Sequence, residues 1–211
     1  MDWLVPYLPG FAAAYAIQVV SVASPGPAVA MILGFAVGDG RRAAFVSSLG
    51  IAVGAAGLAL ATTQGLGLLM ERVAWLSTAI RFAGVCYLLW LAFKACGKAI
   101  RPPKVAVAQV RAMPMFRIFL TGLFLQLTNP KAIVFWLAIS TVGATQGAPA
   151  MVVATFVAGA FAISLAGHAA YAVLLSSSPF RLAYNHARRW IEASIGVFLT
   201  YVAFRLATDR S

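Results

Sequence analysis

The sequence predicts an all-α integral membrane protein with six transmembrane helices, and three observations lead to this fold class. Hydrophobic residues make up 62% of the 211 residues and charged residues only 10%, too few to cover a surface that faces water. The apolar residues lie in long runs, and a helix needs about 20 of them to cross a bilayer. Most lysines and arginines lie between these runs, which is typical of membrane topology.

The apolar runs define six spans that leave no room for a soluble domain, so a single membrane domain over residues 1–211 is expected. The spans cover residues 9–35, 43–67, 74–95, 116–142, 149–175 and 190–207. No lysine or arginine precedes Arg41, and the first run is longer than the apolar region of a signal peptide. We therefore expect it to remain in the membrane as the first span.

The basic residues lie in alternate connections, between spans one and two, three and four, and five and six. The first of these connections contains Arg41 and Arg42, and the last contains Arg181, Arg188 and Arg189. Short loops rich in lysine and arginine stay in the cytoplasm, so both termini are predicted to be periplasmic in a bacterial inner membrane. The net charge of +11 thus reflects contact with the lipid bilayer, and no nucleic-acid partner is expected.

The longest basic connection divides the chain into two halves of three spans each. Residues 1–97 form the first three-helix repeat, 98–115 a cytoplasmic linker and 116–211 the second repeat. An odd number of spans inverts the second half relative to the first. Spans one and four are both interrupted, so we predict two inverted repeats with interrupted helices 1 and 4. Secondary transporters build substrate sites at such repeat interfaces.

Both breaks consist of residues that interrupt helical hydrogen bonding within the membrane. They are Ser24, Pro25, Gly26 and Pro27 in span one, and Asn129, Pro130 and Lys131 in span four. Freed backbone groups are tolerated at this depth where they line a cavity enclosed by protein. Ser24 and Asn129 are predicted to cap the restarting helices, whose positive ends would bind a substrate carboxylate together with Lys131. The alternative is that both breaks are packing kinks and that Lys131 reaches toward an interface.

A proton-coupled transporter also needs a group that carries the proton. His168 lies inside a span and is the predicted carrier, while Tyr171, one turn away, would orient it or line the same cavity. A hydrogen-bonded structural role for His168 is the alternative. The acidic residues, Asp2, Asp39, Glu71, Glu192 and Asp209, all lie at or outside the ends of the spans. We therefore expect no carboxylate at mid-membrane, which leaves His168 with Lys131, the substrate's own ionisation, or transport without proton coupling.

Small residues form one face of span two, where Gly50, Gly54 and Gly57 permit close helix contact. This face could form a homodimer interface or pack within a single chain. Histidine, cysteine and carboxylate residues are not clustered at ligand spacing, so neither a metal site nor a cofactor is expected. The same observation disfavours an intramembrane enzyme.

Both breaks, the small-residue second span and the stretch from Gly84 to Lys94 resemble the lysine exporter family, also known as the homoserine/threonine resistance family. The resemblance runs over nearly the whole chain, and its most specific parts are Ser-Pro-Gly-Pro at 24–27 and Asn-Pro-Lys-Ala at 129–132. It implies a secondary transporter that exports an amino acid or a similar small metabolite from the bacterial cytoplasm, generally by antiport with protons.

One departure from the family pattern bears on the substrate. Family members that handle basic amino acids tend to have an acidic residue in the second span, and residues 47–57 contain none here. A neutral amino acid is therefore the favoured substrate. A membrane sensor or assembly protein that transports nothing is the competing interpretation, because an inert helical bundle also tolerates proline kinks.

Overall fold

The structure, a computed structural model, describes most of the chain. The described residues are 3–24, 26–63, 74–101, 113–140, 142, 144–145 and 147–208, with the backbone alone at 74–81, 84, 185 and 205–206. Pro25 and residues 102–112 of the predicted linker lie outside the described residues. Within the described ranges the regular structure is entirely helical.

In the described part of the chain, a short 3-10 helix at Val5–Tyr7 precedes eight α-helices. These are α1 (Leu8–Ala23), α2 (Pro27–Gly38), α3 (Arg41–Ala61), α4 (Ala74–Ile100), α5 (Met115–Thr128), α6 (Pro130–Ser140), α7 (Ala150–Leu174) and α8 (Ser178–Thr208). The pairs α1–α2 and α5–α6 correspond to the interrupted spans one and four.

The long apolar helices agree with a membrane protein. Val5–Ala23, Arg41–Ala61 and Ala150–Leu174 are each long and apolar enough to cross a bilayer, and α5 with α6 form a fourth candidate as one bent span. The count of six spans and their arrangement as inverted repeats stay predictions.

The last helix differs from the sequence prediction, which began span six at residue 190. Helix α8 begins at Ser178, directly after α7. The Arg181 side chain donates hydrogen bonds to the carbonyl oxygen of Leu175, at 3.0 Å, and to Ser178 Oγ, at 2.9 Å. Because these bonds fill a free acceptor at the end of α7, the chain turns tightly and the next helix starts at once. The basic stretch before residue 190 is thus helical.

Helix α3 lies between α5 and α7, and α4 packs chiefly against α8. Glycines let α3 and α5 meet closely: a side chain on Gly50 would collide with the carbonyl oxygen of Phe119, and one on Gly122 with that of Ser47. A Cβ atom on Gly54 would lie 2.8 Å from Cβ of Gln126 on α5. Gly50 and Gly54 therefore pack within the chain, the second of the two interpretations, while Gly57 is exposed. A homodimer stays a prediction.

Candidate functional site

At the break in the first interrupted helix, the helix that restarts has no side-chain cap at its N-cap. Helix α1 ends at Ala23, with Ser24 as its C-cap at φ −73° and ψ 116°. Helix α2 begins at Pro27, and its N-cap is Gly26 in an extended conformation. The prediction that Ser24 caps the restarting helix is wrong, because Gly26 occupies that position and Ser24 terminates α1. The free N–H groups at the start of α2 are left without a side-chain acceptor.

The break in the second interrupted helix is a single residue. Asn129 separates α5 from α6, and its Oδ1 accepts a hydrogen bond from the backbone N–H of Lys131 at 3.1 Å. This is the predicted cap, and Pro130 at the first helical position suits it because proline has no N–H to leave unpaired. The axes of α5 and α6 differ by 56°. The second break is thus a compact corner that carries its own cap, whereas the first break is extended.

Lys131 joins the two breaks. Its Nζ donates hydrogen bonds to the carbonyl oxygens of Ser21, at 2.9 Å, and Ser24, at 2.5 Å. The hydroxyl of Tyr171 donates to the carbonyl of Ala23 at 2.9 Å. These carbonyls form the last turn of α1, which lacks partners within the helix and carries a negative partial charge. Lys131 therefore neutralises the end of α1 in this conformation.

The two residues predicted for proton coupling occupy different surroundings. His168 is buried in α7, and its Nδ1 lies 2.8 Å from the carbonyl oxygen of Ser164. The carbonyl of His168 accepts a hydrogen bond from Ser48 Oγ on α3, at 3.1 Å. Tyr171 does not orient the ring of His168, because its hydroxyl is bonded to α1. The imidazole is thus held on its Nδ1 side by its own helix.

A small polar cavity, which we call the inner cavity, lies between the two breaks and α7. Its polar lining includes Gln18, Gln126, Asn129, Lys131, Ser164 and His168. Its volume is about 30 Å³. That is enough for roughly two water molecules, whereas sites for small ligands commonly have about 300 Å³ or more. The structure thus brings His168 together with Lys131 and both breaks around a site that is closed to an amino acid.

A larger cavity lies on the opposite side of the breaks, against α4 and α8, and we call it the charged cavity. It has a volume of about 260 Å³, and the charged residues in its lining are Lys94, Lys98, Lys131 and Glu192. Ser24, Gly26, Asn129 and Lys131 line both cavities. Pro27 and Pro130 line the charged cavity. Four of the predicted site residues, Ser24, Gly26, Asn129 and Lys131, are therefore shared by the two spaces.

Glu192 is the functional candidate that the sequence analysis missed. Its side chain is 1% exposed and lies 3.7 Å from Lys98 Nζ and 3.9 Å from Arg188 Nε. Both distances exceed hydrogen-bond length, and among the described residues neither carboxylate oxygen has a hydrogen-bond donor. Glu192 is thus buried within the bundle, while the expectation that no carboxylate lies at mid-membrane stays a prediction. The spacing of Arg188 and Glu192, four residues apart, was the available signal.

Two buried amides were also missed. Gln18 is 4% exposed and donates from Nε2 to the carbonyl oxygen of Ala160 at 2.7 Å, and Gln126 is 8% exposed. Amides inside apolar spans are uncommon and mark polar pathways, so the type and position of these residues were the signal.

An aromatic cluster lies beside the inner cavity, which Trp136 lines. It consists of Phe11, Tyr15, Trp136 and Phe156, and the rings of Tyr15 and Phe156 stack at 5.3 Å between centroids. The hydroxyl of Tyr15 also donates to the carbonyl oxygen of Phe156 at 2.9 Å. Helices α1, α6 and α7 are thereby held together on this side of the cavity.

Comparison with known proteins places this arrangement in a transporter family. The model of the LysE type translocator matches residues 19–210. The threonine efflux protein of Escherichia coli (strain K12) is 31% identical, over 92% of this chain and 95% of its own length. The leucine efflux protein of Salmonella typhimurium is 29% identical over 89% of both chains. No solved structure matches the chain. Since the family model covers nearly the whole sequence, the chain belongs to the family of LysE type translocators.

Proposed function

We propose that this protein exports a small neutral amino acid from the bacterial cytoplasm across the inner membrane, in exchange for protons. The observation that carries the proposal is the meeting of two interrupted helices at a polar cavity, with Lys131 bridging them. Relatives named for the efflux of threonine and leucine support a neutral substrate.

The substrate carboxylate binds at the ends of the two restarting helices. The start of α2, after Ser24, Pro25 and Gly26, offers N–H groups without a side-chain cap. The start of α6 adds the ammonium of Lys131, which exchanges the carbonyls of α1 for the substrate. A zwitterion that leaves water needs such fixed dipoles in place of its hydration, and helix N-termini supply them. Pro27 and Pro130 keep the two helix starts in position.

Six spans, with both termini in the periplasm, complete the proposed topology. The basic connection at 98–115 then faces the cytoplasm, where its charges need not cross the bilayer. A single cysteine introduced at Ala106 in a chain without Cys86 and Cys96 tests this orientation. We expect labelling by an impermeant maleimide in inside-out vesicles only, and labelling of intact cells from the periplasm would refute the topology.

Proton coupling rests on His168, whose imidazole lines the inner cavity beside Lys131. Tyr171 contributes indirectly, since it holds the same end of α1 as Lys131 does. A proton that arrives from the periplasm at the inner cavity would thus come next to Lys131, the proposed partner of the substrate carboxylate.

Reconstitution decides between an exporter and an inert membrane bundle. Liposomes that contain the purified protein are loaded with labelled threonine, leucine or lysine, and efflux is followed with and without a pH gradient. We expect efflux of threonine or leucine that a proton gradient directed into the liposome accelerates, and little efflux of lysine. Efflux no faster than from protein-free liposomes for every amino acid would favour the sensor or assembly role.

A further inference from the structure

The strongest feature that the proposed function does not use is Glu192 in the charged cavity. Its carboxylate is buried, yet neither oxygen accepts a hydrogen bond from a described residue. The nearest cations, Lys98 and Arg188, stand 3.7 Å and 3.9 Å away. A buried carboxylate with empty acceptor sites is costly unless a donor fills them. The site is therefore suited to a ligand that carries N–H donors.

The charge around the cavity narrows the choice of ligand. Its lining contains three ammonium groups, on Lys94, Lys98 and Lys131, and one carboxylate, on Glu192. A ligand with two positive charges would meet repulsion from the lysines, whereas a zwitterion places one charge of each sign against its opposite. Apolar side chains such as Leu91, Ile195 and Leu199 complete the lining and suit an uncharged side chain.

Resting on the function proposed above, we propose that Glu192 binds the α-ammonium group of the substrate in the charged cavity while Lys131 takes its carboxylate. The protein then selects amino acids that have a free α-amino group and a neutral side chain. The ammonium supplies up to three donors to the unfilled oxygens of Glu192. Lys98 remains as the counter-ion of the empty site.

The position of Glu192 gives this recognition a role in transport. Glu192 lies on α8, which packs chiefly with α4, whereas Lys131 lies on α6 at the second break. The substrate therefore connects two separate parts of the bundle through its two charged ends. A compound that lacks either end makes only half of this connection.

Matched ligands that differ in the amino group test the inference. Binding of leucine and 4-methylpentanoate, and of threonine and 3-hydroxybutanoate, is measured on the purified full chain, beside efflux from liposomes. For the wild type we expect the amino acid to bind roughly tenfold or more tightly than its deaminated partner, the usual range for a charge-assisted hydrogen bond. Glu192→Gln should lose this preference, with the affinity for the deaminated acid unchanged.

Two further variants separate substrate recognition from a structural ion pair. Lys98→Gln removes the partner of Glu192 but leaves its carboxylate, so the preference for the free amino group should remain. Glu192→Asp should keep the preference at lower affinity, which also covers the case in which Glu192→Gln fails to fold. If Lys98→Gln and Glu192→Gln instead lose binding of all four compounds and unfold at equally lowered temperatures, Glu192 is a structural residue and the inference is wrong.

The remaining outcomes distinguish this inference from the proposed function. If a Glu192→Gln protein exports threonine or leucine and still prefers ligands with a free amino group, the role of Glu192 is refuted but the proposed function stands. A wild-type protein that exports no amino acid would refute both. A Glu192→Gln variant that loses only its response to the pH gradient would make Glu192 a proton carrier and overturn its role in binding.

Discussion

The two interrupted helices differ in which groups pair with the backbone at their breaks. At the second break, Asn129 caps α6 with its own side chain, and the corner is complete within three residues. At the first break the N-cap of α2, Gly26, provides no side-chain cap, and carbonyls at the end of α1 accept hydrogen bonds from Lys131 and Tyr171 in the other half of the chain. The first break is thus stable only while distant groups remain in place. The second needs no partner from elsewhere.

This difference indicates which break responds to the substrate. If the proposed substrate carboxylate draws Lys131 away from α1, the carbonyls of Ser21 and Ser24 lose their hydrogen bonds and only the bond from Tyr171 to Ala23 remains. The cap of the second break does not involve the Lys131 side chain and would be unaffected. Under the proposed function, substrate binding would therefore loosen the first break and leave the second intact.

Filling the first break should have the largest effect. A Cβ atom at Gly26 would meet only ordinary contacts, at 3.5 Å and 3.6 Å from Lys131 side-chain atoms. Gly26→Ala should therefore retain most of the efflux. Gly26→Leu should abolish it, because the larger side chain occupies the wall shared by both cavities. Initial efflux rates from liposomes measure both variants, and a Gly26→Leu protein as active as Gly26→Ala would show that this opening is not on the pathway.

Removing the charge of Lys131 should weaken substrate binding by roughly tenfold or more, since charge-assisted hydrogen bonds contribute about 1.5–3 kcal/mol each. Because the Lys131 side chain donates hydrogen bonds to α1, Lys131→Gln should also lower stability. Binding and thermal unfolding are compared with Arg189→Gln, which removes an exposed charge. Equal substrate affinity in Lys131→Gln and Arg189→Gln would show that Lys131 does not bind the substrate.

Replacing His168 should affect the driving force and leave both breaks intact. His168→Ala is expected to lose most of the acceleration of efflux by a pH gradient while it retains the affinity for substrate. Equilibrium binding and efflux with and without the gradient give the two quantities. A gradient response equal to that of the wild type would remove His168 from the coupling mechanism and leave it a structural residue bonded to Ser164.

Asn129→Ala and Ser24→Ala should lower the stability of the protein by different amounts. Asn129→Ala removes the hydrogen bond to Lys131 N–H and should cost about 1 kcal/mol of stability. Ser24→Ala should cost less, because the Ser24 side chain makes no capping bond. Thermal unfolding in detergent compares the pair. A greater loss for Ser24→Ala would contradict the assignment of Asn129 as the only side-chain cap among the described residues of the two breaks.

The smallest effect is expected from Tyr171. Tyr171→Phe removes one neutral hydrogen bond to the carbonyl of Ala23 and leaves Lys131 in place. Such a bond contributes about 1 kcal/mol, which corresponds to a change of roughly fivefold in a coupled equilibrium. We expect a few-fold change in substrate affinity. An effect as large as that of Lys131→Gln would mean that the two donors act as a unit.

The sequence predicted the breaks because proline and glycine act on their own backbone. Asn129 and Lys131 were found in this way, and so was the interruption at Gly26. Glu192 and the partners of Lys131 were missed for a different reason. Their surroundings depend on where α8 begins and how the helices are rotated, and neither follows from apolar runs. The charges before residue 190 resembled a loop, although Arg181 closes the turn earlier.

The glycine contacts between α3 and α5 have a mechanical consequence. Helices that touch backbone to backbone resist sliding, because a shift of one residue replaces a glycine by a larger side chain. Helix α5 is therefore anchored to α3, and α6 follows it after the single residue Asn129. We expect any movement that separates Lys131 from α1 to leave α3 and α5 together as one unit.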